Sequence, residues 1–259
     1  MSNHLEDVET LMFCDETKFS IANSDKEDAI YYFGISVIKE DVARVNQEIK
    51  DILLKHKVKS GVYHSTKVFR EARPRPNLMD DLTQVIIRNR LKCFCHKYEK
   101  IKLFETTQIL AKFNTEIIDF NKSEFQALFY FLIAANTYLR DENPNLLKTK
   151  IAMYFDRNVY GVEATEAFKF PSEYFVLKQM TFTEKSKISL LLLPDFFGYI
   201  FRKSKISKNK IDFGDKTLET STLTINAFKN LIEINTSKLF YFIETNQQTI
   251  EKAFKHITK

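Results

Sequence analysis

The chain has 259 residues, 44% of them hydrophobic and 14% aromatic, with 24 Phe and no Trp. That much apolar side chain excludes a chain disordered throughout, and five Gly and five Pro are too few for a loop-rich β sandwich or a long flexible linker. The net charge of +5 is mild and unevenly spread. Three cysteines, an odd count, make no disulfide framework, and the acidic, polar stretch from Met1 to Thr10 is not a signal peptide. The longest apolar runs, Phe125 to Ala135 and Ile188 to Leu193, are too short to span a membrane. A cytoplasmic protein with reduced thiols is expected.

A first strand is predicted over about Glu9 to Cys14, and a second over Ala29 to Lys39, rich in β-branched and aromatic residues. A hairpin through the polar segment Lys18 to Asp28 would join them. Glu40 to Lys57 has helical spacing, with Val42, Val45, Ile49, Ile52 and Leu53 on one face. After the interruption Ser60-Gly61-Val62-Tyr63-His64-Ser65-Thr66 and a loop punctuated by Pro74 and Pro76, Leu78 to Arg90 is helical and Leu91 to Tyr98 alternates as a third strand. Ser123 to Arg140 is a long aromatic helix, stopped by Asp141-Glu142-Asn143-Pro144. Strands are expected over Thr149 to Phe155 and Phe175 to Phe182, then a helix from Ser186 to Arg202. From Ser221 on, Leu223, Ile225, Phe228, Leu231 and Ile232, then Leu239, Phe240, Phe242, Ile243, Ile250 and Phe254, fall at helical spacing. The expectation is a mixed α/β domain over residues 1–210 and a helical extension over 211–259, packed on the domain or forming a contact with a second copy or a partner protein.

Three carboxylates share one character. Asp15 ends Leu11-Met12-Phe13-Cys14, Asp156 ends Ile151-Ala152-Met153-Tyr154-Phe155, and Asp195 follows Leu190-Leu191-Leu192-Leu193-Pro194. An ionised acid inside an apolar segment is costly unless it is paired or bound to a metal. Two or three carboxylates suit Mg²⁺ or Mn²⁺, and one or two such ions activate water for phosphodiester cleavage. The alternatives are an acidic turn at Asp15 and, at Asp195, an acid favoured by the first turn of a helix that begins near Pro194. His64 either assists at the phosphate or is an ordinary loop histidine.

The order Asp15-Glu16, then Tyr-Tyr-Phe-Gly-Ile-Ser-Val, then His64-Ser65, then Tyr154-Phe155-Asp156-Arg157, then Ser-Lys-Ile-Ser-Leu-Leu-Leu-Leu-Pro-Asp-Phe-Phe-Gly resembles the bacterial domain of unknown function 3800 family. Members open on Asp-Glu-Ser-Gly and close on a Leu-Gln-Leu-Ala-Asp helix, and the likeness spans about Leu11 to Lys203. It implies a ribonuclease-H-like fold and a divalent-metal-dependent nuclease acting on DNA or RNA, in a setting of mobile elements or defence against phage. It further implies Asp15, Asp156 and Asp195 as metal ligands, with Glu16 and His64 as catalytic assistants. Thr17-Lys18 replaces the family's Ser-Gly, Leu192 its Gln and Pro194 its Ala. These departures keep open a non-catalytic module that binds nucleic acid or a protein.

The basic clusters Arg70, Arg73, Arg75 and Arg202, Lys203, Lys205 are either a track for a phosphate backbone or solvated loops. Arg157 and Lys187 either contact phosphate or pair with a carboxylate. Cys93-Phe94-Cys95-His96 lacks a second ligand pair at zinc spacing, so core packing is expected there. No glycine-rich phosphate loop, nucleophile elbow or dinucleotide fingerprint occurs.

Overall fold

The computed structural model describes residues 8–20, 28–59, 61, 63–71, 75–99, 111, 119–142, 144–157, 167–169, 175–206, 211–212, 217–218 and 240–242. They form a mixed α/β fold. A hairpin of two eleven-residue strands, β1 (Thr10–Ser20) and β2 (Asp28–Ile38), is followed by helices α1 (Val42–Lys55), α2 (Ser65–Glu71) and α3 (Arg75–Arg88). Next come β3 (Lys92–Glu99), α4 (Ser123–Glu142), the short α5 (Leu146–Thr149) and β4 (Ile151–Asp156). Then follow β5 (Ala167–Lys169), β6 (Leu177–Thr183), a 3₁₀ turn at Ser189–Leu191 and α6 (Leu192–Ile206). Two short strands, β7 (Ile211–Asp212) and β8 (Thr217–Leu218), pair with each other, and β9 is Phe240–Phe242.

The main sheet has the order β5-β6-β4-β1-β2-β3-β9. Its five-strand centre is β6-β4-β1-β2-β3, in which β1, β3, β4 and β6 run one way and β2 alone runs back. β1 extends six residues past the expected end at Cys14, because β2 pairs with it along its whole length, from Thr10 opposite Ile38 to Ser20 opposite Asp28. Asp15 is therefore inside a strand. What ends near it is the parallel neighbour, β4.

Strand alternation divides the core in two. Leu11, Phe13, Phe33, Ile35, Ala152 and Tyr154 face α1, α2, α3 and α6. Met12, Cys14, Tyr32, Phe94, Met153 and Phe155 face α4. α1 buries Val42, Val45, Ile49, Ile52 and Leu53, the face its sequence periodicity predicts. On the other side Tyr32 stacks on Phe131 at 5.3 Å and donates its hydroxyl to the Glu124 carbonyl at 2.7 Å. Asn136 of α4 accepts a hydrogen bond from the backbone N–H of Val176 at 2.8 Å, fixing the entry to β6.

Cys93 and His96 lie on opposite sheet faces, both buried. Burial pushes the Cys93 thiol up and the His96 imidazole down to about 4. An unfolded histidine takes its proton near pH 6.5. With the folded value below that, the unfolded state is protonated first as the pH falls. Stability is therefore whole above pH 6.5 and declines by about 3 kcal/mol on the way to pH 4. Denaturant titrations at pH 7 and pH 4 should show His96→Leu losing less stability than wild type by about that amount.

Among the described residues no helix is long and apolar enough to cross a membrane. Phe240 and Phe242, expected in a helix, lie instead in β9, which pairs parallel with β3. The expected helical segments over 221–239 and 243–259 lie outside the described residues.

Candidate functional site

The parallel register sets the first two acids side by side. Cys14 is opposite Phe155, so Asp15 and Asp156 come next on adjacent strands, and both point to the α6 face. Asp156 is in turn opposite Thr183, the last residue of β6, and the chain then turns through Lys185.

Asp195 arrives from above. Pro194 lies in the first turn of α6, where its missing N–H costs no helical hydrogen bond. The start of the helix is held by Asn46 of α1. Its Oδ1 accepts from the Leu190 N–H at 3.0 Å and from the Ser189 hydroxyl, which also donates to the Asn46 carbonyl at 3.1 Å. Asp195 Oδ2 accepts the Ser65 backbone N–H at 2.7 Å, tying the start of α2 to the start of α6. Phe69 of α2 stacks on Phe196 and Tyr199 at 5.7 and 5.1 Å. These contacts place His64, the residue just before α2, over the acids. Its Nε2 is 3.9 Å from Asp156 Oδ2 and its Nδ1 is 3.9 Å from Asp195 Oδ2.

At the centre is a lysine that no motif in the sequence singles out. Lys185 Nζ donates to Asp15 Oδ2 at 2.7 Å and lies 3.3 Å from Asp195 Oδ2, 3.5 Å from Asp156 Oδ2 and 3.4 Å from His64 Nδ1. Its side chain is 5% exposed and that of Asp156 1%, whereas His64 is 45% exposed and forms the open side. Three carboxylates surround one ammonium, and the charge is unbalanced. Burial, with the Asp195 and Asp156 charges, pushes the Asp15 carboxyl up to about 7 in spite of the ammonium. The same carboxylates outweigh burial at Lys185 and hold its pKa above the ordinary lysine value. Burial and the Lys185 charge lower His64, so its imidazole is neutral at pH 7.

The structure thus gathers Asp15, Asp156, Asp195 and His64. Glu16 is not with them: it follows Asp15 on β1, and alternation turns it to the α4 face, opposite Tyr32. There burial and the neighbouring Asp15 charge raise its pKa. Arg157 forms an ion pair with Glu184, and Lys187 is exposed. Arg70 lies on α2, Arg75 opens α3, and Arg202, Lys203 and Lys205 lie on α6. Arg73 is outside the described residues.

Three aspartates are hard oxygen donors of the kind Mg²⁺ and Mn²⁺ take, and their two uncompensated negative charges fit one such ion. As the side chains stand, no group of three or more His, Cys, Asp or Glu among the described residues is arranged to hold a metal directly. The acids are gathered around an ammonium, at distances longer than the ~2.0–2.1 Å of a Mg²⁺–oxygen bond. No protein-family model matches the chain, and no curated protein matches it.

Proposed function

We propose that this chain is a divalent-metal-dependent nuclease of ribonuclease-H-like fold that hydrolyses phosphodiester bonds of DNA or RNA. One observation carries the reading: aspartates from β1, β4 and the start of α6 converge on one sheet face beneath a half-exposed, neutral histidine. The five-strand order with β2 alone reversed supports the fold, and the run of motifs from Asp15 to Gly198 supports membership of the resembled family.

Asp15, Asp156 and Asp195 would hold the ion, which when bound supplies Lewis-acid stabilisation and an acidified water. In such a hydrolysis the oxygen of an attacking water would bond to phosphorus as the ester P–O bond breaks. His64, neutral and at the open side, would take the proton the water gives up, and the departing oxygen would take its proton from bulk water. Arg70, Arg75, Arg202, Lys203 and Lys205 provide charge on α2, α3 and α6 for the flanking phosphates. Arg157, paired with Glu184, has a first role in holding the turn that carries Lys185.

The test is a thermal melt in EDTA, Mg²⁺ and Mn²⁺, run beside incubation with single- and double-stranded DNA and RNA. At a hundredfold excess over Kd, a metal bound only by the folded state should raise Tm by roughly 5–10 °C, and cleavage should need the metal. The ammonium among the acids favours one rival, a non-catalytic binding module in which Lys185 holds the place between the carboxylates. Nucleic-acid binding unaffected by EDTA, with neither a metal-dependent shift nor cleavage, would establish that rival instead.

A further inference from the structure

Lys185 does more at this site than close a salt bridge. A buried lysine satisfied by one aspartate would need only Asp15; this one lies within 3.5 Å of carboxylate oxygens from all three acidic elements. It enters from a fourth element, the turn after β6, with its stem buried and its ammonium between the acids and His64. Withdrawing it would strand three carboxylates, two of them almost wholly buried, and would leave the ammonium without those partners.

The count of charges follows. With all three ionised, as metal ligands are, the carboxylates against one ammonium leave two negative charges. The acids next in sequence make no contact with the ammonium: Glu16 lies opposite Tyr32 on the α4 face, and Glu184 is engaged with Arg157 and the Ser186 hydroxyl. One divalent ion brings the cluster to neutrality; two would overshoot it by as much as it now falls short. Uncompensated charge of either sign is costly in a buried site.

We propose that Lys185 is the resident second cation of this site, so that Asp15, Asp156 and Asp195 take a single divalent ion beside it. The inference rests on the nuclease reading and deepens it: two-ion chemistry becomes one ion plus a fixed ammonium. Lys185 is then a positioning residue that sets the number and affinity of the bound ions.

The experiment is a Mn²⁺ titration of the full chain, with free Mn²⁺ followed by electron paramagnetic resonance, on wild type, Lys185→Met and Lys185→Arg. Wild type should bind one Mn²⁺ per chain. Lys185→Met, which removes a positive charge within a few ångströms of the ion, should bind it at least about tenfold more tightly, and Lys185→Arg should stay near wild type. Two ions of similar affinity in wild type overturn the inference. So does equal affinity in wild type and Lys185→Met, although the nuclease reading then survives. Binding by Lys185→Met alone would make the lysine a plug that excludes the ion, again against the inference. No binding by any form removes the inference and the metal-dependent reading together. Should Lys185→Met not fold, the wild-type stoichiometry and Lys185→Arg still decide the matter.

Discussion

Asp15→Asn is expected to melt higher than wild type in EDTA at pH 8 and to cleave nucleic acid at least about a thousandfold more slowly with metal present. The first half follows from the imbalance at the site. The folded protein holds the Asp15 proton up to about pH 7, against an ordinary carboxylate value of 3.8. With the folded value raised, the folded state binds the proton more readily, so stability increases as pH falls from about 7 toward 3.8. At pH 8 the ionised form costs a few kcal/mol. Asparagine removes that cost. It gives up the 2.7 Å ion pair, but Lys185 keeps Asp156 and Asp195 as partners. A net gain of about 1–3 kcal/mol is expected, or roughly 2–10 °C. The gap should narrow at pH 5.5, where the wild-type carboxyl is already protonated, and this pH dependence separates charge relief from ordinary repacking. The loss of cleavage has the same origin, because the charge that strains the metal-free protein is what a divalent ion would bind. A lower melting temperature at pH 8 would instead make the Asp15–Lys185 pair a structural tie.

Much of this site was legible in one dimension. Asp15, Asp156 and Asp195 stand out because apolar runs deliver them, and the runs proved to be β1, β4 and the approach to α6. His64 stands out as a histidine in a glycine-containing break between helices. Other features depended on pairing. Ending the first strand at Cys14 made Asp15 and Glu16 look like neighbours at an exit. Once β2 carries β1 on to Ser20, the two-residue period separates them to opposite faces. Lys185 could not be chosen over Lys187, because the choice rests on the register of β6 against β4, which brings Thr183 beside Asp156. At Phe240 to Phe242 helical spacing yields to an available sheet edge, β3, which offers backbone partners that local propensity cannot foresee.

Gly198→Val is expected to cost about 2–3 kcal/mol and to reduce cleavage about a hundredfold, whereas Gly198→Ala should stay within about 1 kcal/mol of wild type. Gly198 lies one turn after Asp195 on α6, where the helix crosses the β hairpin. A Cβ there would be 3.3 Å from two atoms of the Phe33 ring and from the Thr17 Cβ. Those contacts are tight enough that a neighbour must give by a few tenths of an ångström. A glycine inside a helix is itself destabilising by roughly 0.5–1 kcal/mol relative to alanine, so alanine recovers in propensity much of what it loses in crowding. Valine cannot: its two further methyls enter an interface already filled by Phe33 and Phe197, whose rings are 5.6 Å apart. The helix must lift from the hairpin, and Asp195 lifts with it, away from Lys185 and Asp156. Denaturant titration and Mn²⁺ binding on the two variants check this. Valine with wild-type metal affinity would show that Asp195 is placed by Asn46 and Ser65 alone, with the docking of α6 on the hairpin contributing only stability.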